Sequence, residues 1–438
     1  MSVDVIVGYQ RGDEGKGRFV DMLAENYDIV ARYNGGSNAG HTVVYEDHDL
    51  GLHQVPCGIT RPDITNIIGN GMVIDPGRLI TEISALRSIG LDISSDSNHK
   101  LMVSSAAHLV LPHHIYADSM RESGSKAQGT TKAGISQAYA SKAMREGVRA
   151  ELIVDDPDEL FEAAYRALVN QNQARRRAGI DPIDSRKIAR DYVETAKQIG
   201  PYISDTTLFL NQQLRKTNPG RILAEGAQAY LLDIDHGMYP DTTSSSTISG
   251  GVCTGLGISP HFIGKVTGVA KAIQSHVGGG HFVTEIHDHD VLKYLYGDMN
   301  QVDSEKGTTT GRIRRLGNLD LPGLRRAQMI NGSEQMQEMA LTKLDWVRRY
   351  GESVLICTAY ESNGEVHEIA PDSAGKLRAS TPIYEELPTW EEDIQDVRNF
   401  DDLPTNAQDY IEFIQNRTGV PITMIGVGPR RDQVIIRN

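Results

Sequence analysis

Residues Val5 to Asp21, VIVGYQRGDEGKGRFVD, approach the phosphate loop of nucleotide hydrolases and miss it at two positions. That pattern carries a leading glycine ahead of its Gly-Lys pair and a Ser or Thr just after, whose hydroxyl ligates the nucleotide's magnesium. Gln10 and Gly17 stand there instead. The loop also holds Asp13 and Glu14 beside the place where phosphates would lie. Bare carboxylates repel phosphate unless a metal, or a proton to be removed, lies between them. Asp13 therefore needs a chemical role. Around it, Gly15 and Gly17 let backbone amides face phosphate, and Lys16 supplies a point charge.

Three more polar loops carry residues able to do chemistry. NGGSNAGHT, from Asn34 to Thr42, is richer in glycine than a turn requires, which suits close ligand approach. A lone loop histidine is more often structural, but Asn38 and Gly40 beside His41 tilt it toward function. GTTKAGISQAY brings Thr130 and Thr131, followed by Lys142 and Arg145; alone it reads as a helix-capping turn. KGTTTGRIRRLGNLD stacks Thr308, Thr309 and Thr310 before Arg312, Arg314 and Arg315. The guanidinium fork matches two oxygens at once, so this loop suits carboxylate or phosphate. In LAEGAQAYLLDIDHG, Gln228 follows a strand, where an amide can face a base or a developing oxyanion. ALTKLDWV sets Lys343 and Asp345 in the Lys-x-Asp spacing that reads guanine, and GVGPRRD, with Gly426 and Gly428, could close the other side of a base.

These loops need a frame that aims them together. VDVIVG, DIVARY, NIIGNGMVI, KLMVSSA, RILAEG and SVLICTAY read as buried strands separated by amphipathic helices. Asp75-Pro76 and Asp156-Pro157 mark two helix starts, and Gly90 stops the first helix. The expectation is α/β: one domain over residues 1–438, with a large mostly parallel central sheet, a P-loop-like phosphate site, flanking helices and a helical subdomain at about 100–205. Ligands in such sheets lie at the carboxyl ends of the strands.

Composition narrows the function. A formal net charge of −14 over 438 residues argues against sequence-independent nucleic-acid binding, which needs a basic face. The three scattered cysteines form neither a disulfide framework nor a metal quartet and suit a reducing compartment. No run reaches membrane-spanning length and the first strand starts at once, so no membrane span and no signal peptide are expected, and a cytoplasmic location is.

Taken together, GDEGKG, NAGHT, GTT…AY, EGAQ…LLDIDHG.YP…TSS, TTGR.RR, TKLD and GVGP resemble the adenylosuccinate synthetase family, in family order across nearly the whole chain. One such match arises by chance; seven in order do not. The resemblance implies a homodimeric, GTP-dependent ligase that joins L-aspartate to C6 of IMP through a 6-phosphoryl intermediate. It implies that Asp13 is the base that removes the purine N1 proton and that Asp13 and the Gly40 carbonyl ligate magnesium. It also implies that His41 stabilises the departing phosphate's charge and Gln228 the 6-oxyanion, with Lys16 in the catalytic set.

By the same resemblance, Asn38, Thr131, Gln228, Thr243, Val277 and Arg312 meet the acceptor nucleotide, and Arg145 reaches the 5′-phosphate in the neighbouring subunit. Thr308, Thr309, Thr310 and Arg312 hold aspartate. Glu14, Gly15, Lys16, Gly17, Gly40, His41, Thr42, Arg314, Lys343, Asp345, Gly426 and Gly428 fall to GTP. The chain departs from the family pattern mostly in substrate loops: Arg11 replaces a usual Trp, Ala133 and Ile313 replace arginines, and Gly426 a frequent serine; Thr308 stands where a small residue is common. A related phage enzyme takes deoxyguanylate as acceptor and has a smaller residue at the position of Asp13, so dGMP or GMP is the alternative acceptor. A guanine-nucleotide-binding regulator without ligase activity is the remote one; it would have no use for Gln228, Arg145 or the aspartate loop.

Overall fold

The computed structural model describes residues 2–46, 48–94, 97–123, 130–296, 305, 311–333 and 336–437. Its centre is an 11-stranded sheet built on Val3–Gly8. On one side lie, in order outward, Ile222–Glu225, Ile29–Arg32, Thr65–Ile68, His99–Ser104 and Ile203–Ser204, with the short strand Ile93–Ser94 also paired to His99–Ser104; on the other lie Ile263–Lys271, Gln337–Thr342 and Ile422–Gly426. All these neighbours pair in parallel, and only the edge strand Val434–Ile436 runs antiparallel.

Near-continuous apolar runs suit strands covered on both faces. Val3, Val5 and Val7 enter one core with Trp346 and Tyr410, while Ile6 enters the other with Phe19 and Ile59. That split is the two-residue alternation of a strand. Ile263–Lys271 carries glycine where close packing demands it: a Cβ on Gly268 would lie 2.0 Å from the Tyr9 ring. SVLICTAY also forms a strand, Ser353–Ser362, but in a separate four-stranded sheet with Leu319–Asp320, Glu365–His367 and Thr381–Pro388.

Both marked helix starts occur as read. Asp75 accepts from the Arg78 amide and caps Pro76–Ser88, and Asp156 accepts from the Glu159 amide and caps Pro157–Arg177. Between His108–Leu109 and Ile203–Ser204 the chain is helical, with Pro112–Glu122, Ile135–Met144, Leu152–Asp155, Pro157–Arg177 and Ser185–Lys197. No helix among the described residues is long and apolar enough to cross a membrane.

Chain progression reverses at Val3–Gly8, with Ile222–Glu225 inserted beside it. A crevice opens at the carboxyl ends of strands at such a reversal. The loops after Gly8, Arg32, Glu225, Lys271, Thr342 and Gly426 all leave that edge, and they carry the polar residues singled out above.

Candidate active site

The phosphate loop is bent by Gly12, Asp13 and Gly15, whose φ angles are 90°, 58° and 89°. Its acidic pair splits. Glu14 turns inward, accepting from the Gly12 amide at 2.7 Å and from Lys16 Nζ at 2.6 Å. Gly8 makes room for it, since a Cβ there would lie 2.5 Å from Glu14 Oε2. Asp13 instead faces the cavity. The helix Lys16–Leu23 starts directly after Gly15, so its free amides face the same space.

Both departures from the phosphate-loop pattern have packing reasons. The Gln10 amide donates to the Lys271 carbonyl at 2.9 Å and accepts from the Lys271 amide at 3.0 Å, tying the loop to strand Ile263–Lys271. A Cβ on Gly17 would lie 2.8 Å from His41 Cβ and 3.3 Å from Cys57 Sγ. A serine or threonine cannot stand there without moving His41.

His41 is held by Glu225, the last residue of its strand, through Nδ1–Oε1 at 2.5 Å. Burial depresses the imidazole pKa more than Glu225 raises it. Cys57 lies against both partners, its thiol donating to Glu225 Oε1 at 3.2 Å. Burial pushes that thiol well above its ordinary pKa. His41, Cys57 and Glu225 are close enough to hold a metal, yet a protonated thiol is a poor ligand and all three already bond one another. The cluster orients His41.

Asp13, Glu14, Gly15, Lys16, Gly17, Asn38, Gly40, His41, Thr42, Thr131, Gln228, Thr243, Val277, Arg312, Arg314, Lys343, Asp345 and Gly428 line one cavity of about 900 Å³. That is near the upper end for a ligand site. Gln228, at φ 59°, has buried Nε2 and Oε1 atoms without a hydrogen-bond partner among the described residues. Asn38 Oδ1 is likewise unpartnered, while its Nδ2 reaches Thr243 Oγ1 at 3.5 Å. Buried amides left unpaired in a cavity are placed for a ligand's polar edge.

Arg314 donates from Nε to Asp13 at 2.8 Å and from Nη1 to Glu305 at 3.3 Å. Glu305 also pairs with Lys343 Nζ, whose charge lies 3.8 Å from the Trp346 ring centre. Burial alone would raise the Asp13 carboxyl, but Arg314, Lys271 and Lys16 outweigh it and hold its pKa below the usual value. Buried Lys271 itself is depressed to about 8 by desolvation.

Two candidates do not line this cavity. Arg145 is exposed at the left-handed end of helix Ile135–Met144, and Gly426 lies behind Arg18. Thr308, Thr309 and Thr310 lie outside the described residues. Sequence reasoning missed Glu225, Lys271 and Glu305. Glu225 was inside a quoted motif and Lys271 ends a strand, but nothing local distinguishes Glu305.

A family model described as adenylosuccinate synthetase matches residues 5–435. The chain belongs to the adenylosuccinate synthetase family. It is 43% identical over 441 residues to the Brevibacillus brevis adenylosuccinate synthetase, covering 100% of this chain and 99% of that protein. With the Geobacillus kaustophilus adenylosuccinate synthetase it shares 43% over 439 residues, covering 99% and 98%. A fully ligated adenylosuccinate synthetase structure from Plasmodium falciparum superposes with TM-score 0.88 at 36% identity, covering 100% of both chains. A cyanophage succinoaminodeoxyadenylate synthetase bound to dGMP and dATP shares the fold, at TM-score 0.59 and 20% identity over 99% of this chain and 95% of that one. The chain is accordingly a GTP-dependent ligase of purine biosynthesis.

Proposed function

We propose that this cavity joins L-aspartate to C6 of IMP with GTP as phosphate donor, and that the residues above divide the work as follows. Asp13, ionised beside Arg314, takes the N1 proton of the purine. The O6 electron density then attacks the γ-phosphorus: an O6–P bond forms, the bond to the β-phosphate oxygen breaks, and GDP leaves. The aspartate amine next attacks C6, and the C6–O bond breaks with release of phosphate. An oxo group at C6 is a very poor leaving group, which is why phosphorylation must come first.

Gln228 carries this reading. Its buried, unpartnered amide shares the cavity with Asp13, so it can donate to charge developing at O6. His41, whose Nδ1 is taken by Glu225, has Nε2 left for the departing phosphate and donates there as the imidazolium. Lys16 and the first amides of Lys16–Leu23 hold the phosphates.

A divalent metal belongs to the family's chemistry, and we assign magnesium to the Asp13 carboxylate and the Gly40 carbonyl. The fit rests on donor type: hard oxygens lining one cavity, and a carboxylate kept ionised. When bound, magnesium neutralises charge on the transferred phosphate. Arg145, exposed and off its own cavity, is assigned to the site of a second subunit in a homodimer.

The test is product stoichiometry. Phosphate release should require IMP, GTP and aspartate together and equal the adenylosuccinate formed; phosphate release without aspartate-dependent product would leave a nucleotide hydrolase instead.

A further inference from the structure

Arg18 is the third residue of the helix that follows the phosphate loop and lines the cavity together with Asp345 and Gly428. Nη1 donates to the Gly428 carbonyl. Asp345 acts on the same guanidinium electrostatically, and desolvation lowers its pKa to about 10, so it stays charged at neutral pH. This reach depends on Gly426. A Cβ there would lie 2.1 Å from Arg18 Nη2 and 3.2 Å from Cζ, so any side chain at 426 must displace the guanidinium. Nη2 and Nε make no hydrogen bond among the described residues. A fixed cation with spare N–H groups therefore stands beside a buried carboxylate.

We propose that Arg18 is the second half of the donor-base reader, with Nη2 donating to the 6-oxo group while Asp345 accepts from N1–H and the 2-amino group. This rests on the assignment of Lys343 and Asp345 to the guanine site. The edge of guanine presents acceptor, donor, donor; that of adenine presents a 6-amino donor and an N1 acceptor. Adenine thus meets Arg18 donor to donor and Asp345 acceptor to acceptor, and is rejected at two atoms. Arginine suits the task because its planar fork keeps one N–H on Gly428 while another points at the base.

The test compares GTP, ITP, ATP and 2,6-diaminopurine riboside triphosphate as donors, with IMP and aspartate saturating. The diaminopurine compound keeps the 2-amino group and lacks O6. Arg18→Ala should raise the KM of both GTP and ITP by about tenfold to a hundredfold, the cost of a charged hydrogen bond, while the diaminopurine KM stays within about twofold. Gly426→Ser, which displaces the guanidinium without removing it, should shift the same ratio in the same direction by a smaller factor. Parallel rises for GTP and the diaminopurine compound, or a fall in the GTP KM, overturn the proposal, the fall meaning that Arg18 only quenches Asp345. If wild type turns over GTP no better than the other triphosphates, the guanine-site assignment fails first; an unaltered ratio in a GTP-selective enzyme sinks the Arg18 role alone.

Discussion

Arg314 and Asp13 form an ion pair through Nε and Oδ2 at 2.8 Å, joining the loop that follows the central strand to the arginine-rich loop far along the chain. A general base must be ionised and within reach of its proton, and this contact secures the first condition while leaving Asp13 in the cavity. Glu305 takes the other arm of Arg314 and also Lys343. One buried carboxylate thus ties Asp13, the proposed base, to the residue that would cover the guanine ring.

Asp13→Asn keeps the shape of the side chain and removes its basicity. The expected loss in kcat is about 10²–10⁴-fold, the usual worth of acid–base catalysis, with an unchanged thermal midpoint. Arg314→Gln gives the complementary result. Asp13 loses its largest stabilising charge, its pKa rises, and the acid limb of kcat/KM moves to higher pH; a limb that stays put shows that another group titrates there.

Gln228 exposes a conflict between stability and function. Burying an amide without a partner costs about 1–3 kcal/mol, and that of Gln228 has none among the described residues. Gln228→Leu should therefore raise the urea midpoint in the absence of substrates while lowering kcat by about 10²–10³-fold, the effect of losing one oxyanion donor. If stability and activity fall together, the amide is structural.

Glu305 makes stability depend on pH. Burial would raise its carboxyl, but Lys343, Arg314 and Lys271 bring it from an ordinary 4.5 to about 2. Its folded pKa lies below its unfolded one, so its contribution is complete above about pH 4.5 and disappears as pH falls toward 2. The difference corresponds to roughly 3 kcal/mol. Wild type should lose that much more stability than Glu305→Gln across this window in chemical denaturation; equal slopes would remove Glu305 from the account.

Much of this arrangement is legible in local sequence because its causes are local. Asp75 and Asp156 cap helices with their own neighbours' amides, and Gly12 and Gly15 bend a loop that a glycine-rich pattern announces. Other parts depend on distant partners. Nothing near Gly17 says that His41 and Cys57 fill the space where a hydroxyl would stand, and nothing near Glu305 says that Arg314 and Lys343 converge on it. SVLICTAY reads as a strand from its own residues, but which sheet it joins is decided by Thr381–Pro388 pairing along it.

Arg145 tests the dimer. Arg145→Ala and Asp13→Asn variants, each inactive alone, should regain partial activity on mixing once subunits exchange, because a hybrid dimer contains one site with neither lesion. No recovery despite exchange seen by mass spectrometry would place Arg145 outside the shared site.

The acceptor purine is the remaining choice. IMP and guanylates both present N1–H and O6, so Asp13 and Gln228 serve either, and the decision falls on the surroundings of C2 and the ribose 2′-position. A guanylate brings an extra amino group, and burying it without an acceptor costs about 1–3 kcal/mol, or about tenfold to a hundredfold in binding. The Asp13 side chain is present here and held in place by Arg314, filling space that a smaller residue would vacate. Ala133 is fully buried against Val73, Val110, Ile135 and Ala138 rather than facing the cavity, so its exchange alters packing more than base choice. IMP should therefore have the highest kcat/KM when IMP, GMP and dGMP are compared in one phosphate-release assay with aspartate and GTP fixed. A value for dGMP equal to or above that for IMP would reverse the ordering and make 2-aminoadenine nucleotides the product, with the fold and the two-step chemistry unchanged.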